Sequence, residues 1–343
     1  MRAKIYYFVV LGTLFLFSFS SYAQVAVDSV KVNSLLTDTI KNTYQQSVRI
    51  DINTTYIFSK PRTIDLIRYI PSDIYQFGVS LTRKENLKWD ALAVGTTVAM
   101  IPYDQKILED GIDLGDRLGG WDESPRYKRV LGLEFIPTSV SSAVYYIGNG
   151  NTTLFLSGFF YVKGLINRQD YRALNTSSEL VEALLSVGVT TQAFKRITGR
   201  QSPVAALETN HDGGHWTPFP SFSAFGKHTP YYDAMPSGHM ATFMATLVII
   251  STNYPEYKWI KPVGYSLGGL LAFSMVSNKV HWASDYPIGI LIGYMIGKNI
   301  AERRITVKKD DAVGMIPKKP RYDISYSLNQ FYNTPLAGVT IKF

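Results

Sequence analysis

The chain has 343 residues, 46% hydrophobic and 18% charged, enough for a sizeable core and too apolar for global disorder. It contains no cysteine, which excludes disulfides and thiolate chemistry. Its formal net charge of +8 is spread without a Lys/Arg block. That excess suits anionic substrates or lipid surfaces and is too diffuse for nucleic-acid binding.

In chain order, residues 1–23 read as a signal peptide. Arg2 and Lys4 precede an uncharged stretch to Ser20, and Ser21-Tyr22-Ala23 supplies small residues before Gln24. Cleavage there leaves a net charge of +6 and sends the protein to the periplasm or cell envelope; a retained anchor is the competing reading. Residues 24–75, rich in Thr, Ser, Asn and Val without a helical period, form an extended N-terminal segment.

From 76 to 305 the pattern is helical: 89–101, two segments within 135–166, then 177–196, 238–252, 262–276 and 285–304. Thr176 and Glu179 have the spacing of a capping box for the helix from 177, and Pro262 suits a first helical turn. The uncharged runs 240–255, 262–278 and 286–297 fall short of the ~18 apolar residues that spanning a bilayer requires. Their lengths suit a globular bundle and leave peripheral membrane contact open. After 305, "YDISYSL" and "LAGVTIKF" flank Asn333-Thr334-Pro335 as a β-hairpin or two edge segments. The expected fold class is all-α: about six core helices over 76–305, the extended N-terminal segment, and a hairpin-like tail over 306–343.

Three stretches of this bundle carry chemistry. In "DAMPSGHMAT" (233–242), Ser237 is a helix N-cap, and Gly238 and His239 form the first turn of an apolar helix. Such a helix start is a simple cap or, with its free N–H groups, an anion site. If the helices 238–252 and 262–276 form an up-down pair, residues 277–285 return to the same end. There His281 and Asp285 stand four apart, with Ser284 able to cap the next helix and Asp285 able to accept from the imidazole. The helix ending at Arg196 reaches that end through the long loop 197–236, bringing "KRITGRQSP" (195–203) with Lys195, Arg196 and Arg200. All five histidines fall between 211 and 281. His211, Asp212 and His215 in a Gly-rich loop offer too few defined ligands for a metal site, so no metal and no cofactor is expected.

Together these stretches resemble the type-2 phosphatidic acid phosphatase and vanadium haloperoxidase superfamily. Its signature is Lys-x6-Arg-Pro, then Pro-Ser-Gly-His, then Ser-Arg-x5-His-x3-Asp. Order and spacing hold in Lys195 with Ser202-Pro203, in Pro236-Ser237-Gly238-His239, and in Ser274-Met275 with His281 and Asp285. The resemblance implies a helical bundle of that type and a phosphatase without metal, hydrolysing phosphate or diphosphate esters of lipids or small molecules. It makes His281 the nucleophile oriented by Asp285, His239 the acid and then the base, and Lys195, Ser237 and Gly238 the phosphoryl holders. Two expected arginines are replaced by Ser202 and Met275. Arg200 is the stand-in for the first; nothing obvious replaces the second, with Lys279 or Arg196 as the cations able to reach it. These departures motivate an alternative, an envelope protein that binds phosphorylated headgroups without turning them over. A haloperoxidase ranks third, since the arginine-rich vanadate cradle is missing. Trp216, Phe219, Phe222 and Phe225 in the loop over the rim are expected to shape substrate access.

Overall fold

The computed structural model describes residues 44–342 apart from 120, 122–126, 131–132, 168–169, 310–322 and 332–333. The expected signal peptide lies outside the described residues. The chain opens with antiparallel strands β1 (Gln45–Arg49) and β2 (Thr54–Ser59). The helices are α1 (Ile70–Thr82), α2 (Leu87–Met100), α3 (Asp104–Leu118), α4 (Val140–Tyr146), α5 (Gly150–Ile166) and α6 (Tyr171–Thr198), followed by short α7 (Pro203–Thr209) and α8 (Phe222–Lys227). Helices α9 (Gly238–Asn253), α10 (Ile260–Ser277) and α11 (Tyr286–Arg304) complete the bundle. The class is all-α, with small sheets at its margins.

The centre is the α9–α11 pair. Gly289, Gly293 and Gly297 stand four apart on α11, so they share one face. A Cβ on Gly289 would lie 2.6 Å from the Ser237 carbonyl oxygen, one on Gly293 2.1 Å from that of Ala241, and one on Gly297 2.9 Å from Ala245. The two backbones therefore touch directly, and this fixes where α9 begins relative to α11. Helix α6 packs on both, with Ala173, Leu180, Ala183 and Val187 in the shared core. At the far pole the carboxylate of Glu182 on α6 accepts from Arg303 and Arg304 of α11. Outward faces are apolar: Trp89, Val98, Phe159, Ile166 and Tyr265 are all exposed. Among the described residues no helix is long and apolar enough to cross a membrane.

Several elements differ from the sequence reading. Strand β2 also pairs with a strand that continues from α11, β3 (Ile305–Lys309), so part of the N-terminal segment is ordered as sheet. Helix α1 begins at Ile70, before the expected start of the helical core at 76. The capping box at Thr176 and Glu179 does not form: α6 starts at Tyr171, where Asp170 accepts from the Ala173 N–H at 3.0 Å. Thr176 lies inside the helix and donates to the Arg172 carbonyl at 2.9 Å, a bond open to mid-helix threonine. Residues 133–137 are a strand rather than helix, paired with 127–130. The tail, by contrast, forms the expected hairpin: Asp323–Phe331 and Thr334–Lys342 pair antiparallel, with Phe331 opposite Thr334. Helix α3 has no counterpart among the expected elements, although Leu108 anchors it in the core.

Candidate active site

The three stretches meet at one end of the bundle. Ser237 caps α9 by accepting from the Met240 N–H at 3.3 Å, and its own N–H donates to the Asp285 carbonyl at 3.0 Å. That bond ties the second stretch to the third. Lys195, in the last turn of α6 and buried to 7% exposure, faces the start of α9: a Cβ on Gly238 would sit 3.9 Å from its Nζ and from Thr191 Oγ1. Gly238 thus lies between a buried cation and a capped helix N-terminus, an arrangement that favours an anion. Lys195 Nζ also lies 3.5 Å from Asp233 Oδ2.

His239 and His281 face each other with ring centroids 5.8 Å apart, and Tyr145 of α4 packs against His239 at 4.6 Å with its ring tilted by 48°. Burial, then the facing His281 and the Lys195 cation, lower the His239 pKa to about 3, so it is a neutral imidazole at ordinary pH. His281 is buried at 4% exposure. Its Nδ1 stands 3.5 Å from Asp285 Oδ2 but makes no hydrogen bond among the described residues. The expected imidazole–carboxylate bond is therefore a close approach rather than a formed bond. Asp285 Oδ2 accepts instead from the Trp282 N–H at 2.9 Å, and this carboxylate, not Ser284, caps the turn before α11.

Arg200 corrects the sequence reading. Proposed as a phosphate holder, it is fully buried, with its guanidinium donating to Asp285 Oδ1 at 2.7 Å, Ser284 Oγ at 2.6 Å, Asp104 Oδ2 at 2.6 Å and the Gly213 carbonyl at 2.9 Å. Two carboxylates occupy the fork that would have held phosphoryl oxygens. Ser202 starts α7, its N–H donating to the Pro230 carbonyl at 2.8 Å. Met275 is fully buried, its Sδ 3.9 Å from Ser237 Oγ, so an apolar side chain packs against the α9 cap.

The four loop aromatics divide. Trp216 packs inward, 4.8 Å from the Arg200 guanidinium, and Phe225 is buried beneath Arg196. Phe219 and Phe222 point outward at 73% and 80% exposure. The rings of His211 and His215 approach to 5.6 Å, and among the described residues no group of three or more potential ligands could hold a metal ion. The sequence reading missed Asp104, Asp233 and Tyr145. Asp233 had a signal, its place three residues before the Pro-Ser-Gly-His motif; Asp104 had none.

One end of the helical bundle thus joins a buried lysine, a capped helix N-terminus and a His/His–Asp cluster. Residues 177–304 match the model of the PAP2 superfamily. The chain is 31% identical over 67 residues to a lipid A 1-phosphatase of Porphyromonas gingivalis; the aligned stretch covers 19% of this chain and 15% of that protein's length. A crystal structure of a transmembrane PAP2 type phosphatidylglycerolphosphate phosphatase from Bacillus subtilis superposes with a TM-score of 0.41 at 14% identity, over 64% of this chain and 96% of the other.

Proposed function

We propose that the chain is a metal-independent phosphatase acting on phosphate or diphosphate esters, with lipid phosphates as the leading substrate class. The observation that carries this reading is the convergence of Lys195, the N-terminus of α9, His239 and the His281–Asp285 pair at one end of the bundle. In the first step the free imidazole nitrogen of His281 attacks phosphorus, the ester P–O bond breaks, and the leaving oxygen takes a proton from His239. In the second, water gives a proton to His239 and attacks phosphorus, the P–N bond breaks, and phosphate leaves. Lys195 and the N–H groups at Gly238 hold the equatorial oxygens. His239 must be protonated for the first step, and the anionic charge of a bound phosphoryl group opposes the burial and cationic neighbour that keep it neutral.

A lipid substrate is supported by the lipid A 1-phosphatase relative and by the apolar outward faces of α2, α5 and α10, which suit contact with a bilayer surface. An exported, envelope-facing location is consistent with the signal-like residues 1–23. Release of inorganic phosphate from a panel of lipid and soluble esters tests the proposal. It expects turnover, inhibition by vanadate, indifference to chelators, and loss of activity in His281→Ala. Unchanged turnover in that variant would refute the histidine mechanism.

One observation favours a second reading, a headgroup-binding protein without turnover: Met275 presents sulfur where an arginine fork was expected, and Arg200 is committed elsewhere. Phosphate-ester binding to the full chain with no phosphate release would establish it.

A further inference from the structure

Behind His281 lies a buried chain of charges that the family signature does not contain. Asp104 opens α3, outside residues 177–304, and is 1% exposed. Its Oδ2 accepts from Arg200 at 2.6 Å, and Arg200 donates onward to Asp285 Oδ1 at 2.7 Å. Ser284 braces the link: its N–H donates to Asp104 Oδ1 at 3.1 Å, its hydroxyl to Asp104 Oδ2, and it accepts from Arg200. The Trp216 and Trp282 rings flank the guanidinium at 4.8 and 5.3 Å.

We propose that Asp104 and Arg200 are positioning residues for His281, acting through Asp285. The physical argument has two parts. One Arg200 N–H holds Asp285 Oδ1 and the Trp282 N–H holds Oδ2, so the carboxylate is fixed at both oxygens with Oδ2 set 3.5 Å from Nδ1 of His281. An arginine alone would also cancel the field of Asp285 at the imidazole in this low-dielectric interior. Asp104 offsets that charge, so the cluster of two carboxylates and one guanidinium keeps a net negative charge facing Nδ1. The 3.5 Å gap then shortens as cation character develops on the ring, as such bonds do when substrate binds. His239 is the titratable ring facing His281, at a centroid distance of 5.8 Å, and Asp285 Oδ2 at 3.5 Å is the carboxylate oxygen beside Nδ1.

The inference deepens the phosphatase reading and rests on it for the meaning of His281. Nitrogen-15 NMR of histidine-labelled full-length protein, with His281→Ala for assignment, reads the tautomer directly. The wild type is expected to hold the proton on Nδ1, and Asp104→Asn to drift toward a mixture of tautomers. In the same variant kcat falls about tenfold or more with KM unchanged, the range seen when a group that orients a histidine ligand is removed. Ser284→Ala, which loosens the brace without removing a charge, gives a smaller shift of the same sign and serves where Asp104→Asn does not fold. A wild-type Nε2–H tautomer, or an unchanged tautomer in the folded variants, overturns the proposal. A wild type that releases no phosphate yet shows these tautomer shifts refutes the phosphatase reading and leaves the positioning pair standing.

Discussion

Asp233 Oδ2 stands 3.5 Å from Lys195 Nζ, so the cation facing the start of α9 already has an anionic partner. The carboxylate is more exposed than the lysine, 28% against 9% of the side chain, and it sits at the solvent side of the pair. A phosphoryl group arriving at Lys195 meets that negative charge. Asp233→Asn is therefore expected to tighten inhibition by phosphate or vanadate by about twofold to tenfold, the range for a partly exposed ion pair. The effect should shrink at high salt. Weaker inhibition in the variant would mean that Asp233 holds Lys195 in place rather than competing for it.

His239 couples the site to acid stability. Its pKa is about 3 in the folded protein against 6.5 for the free side chain, because burial and the facing His281 and Lys195 disfavour the cation. The unfolded chain therefore takes up a proton below about pH 6.5 that the folded chain refuses until about pH 3. Stability from the neutral imidazole is whole above 6.5 and drains away as pH falls toward 3. Urea unfolding of His239→Asn across this range should show a pH slope shallower than wild type by about one proton. Equal slopes would show that the folded protein accepts the proton readily.

Met275 offers a test of the missing arginine. Its side chain is fully buried, with Sδ 3.9 Å from Ser237 Oγ. Met275→Arg places a charge in that buried position, and the variant should lose about 2–4 kcal/mol of stability without ligand. Phosphate or vanadate supplies the counter-charge, so added anion should raise its melting temperature more than that of wild type. A variant as stable as wild type and insensitive to anion would place position 275 away from the phosphate cradle.

How far the sequence could be read follows from the range over which each feature acts. The Ser237 cap and the first turn of α9 were legible because capping is a local preference, set by one side chain and the N–H three residues on. The up-down return of α10 was legible from length alone, and it correctly brought His281 to His239. Arg200 was misread because its partners are 85 and 96 residues away, and no local pattern distinguishes a cation held by two buried carboxylates from one open to phosphate. Thr176 failed for the opposite reason: a local signature was overridden by Asp170, which capped the helix earlier. Helix α3 escaped notice because its apolar positions, anchored by Leu108, are sparse among charges.

The α9–α11 contact turns packing into a condition on the chemistry. Gly289 lies on α11 one turn beyond Asp285, and the nearest atom to an added Cβ is the Ser237 carbonyl oxygen at 2.6 Å, with the Ser237 N and C both at 3.5 Å. Backbone atoms cannot swing aside as a side chain can, so Gly289→Ala must push the start of α9 away from α11. The Ser237 N–H to Asp285 carbonyl bond, 3.0 Å in the native protein, spans the same gap and lengthens with it. Overpacking of this kind costs about 1–3 kcal/mol. The expected variant is folded, melts lower than wild type, and has lost most of its phosphate-ester turnover because His239 and His281 no longer face each other at the native spacing. Gly269→Ala on α10, where an added Cβ meets nothing within 4 Å, is the control and should retain wild-type turnover. Equal activity in the two variants would show that the α9–α11 spacing does not set the geometry of the histidine pair.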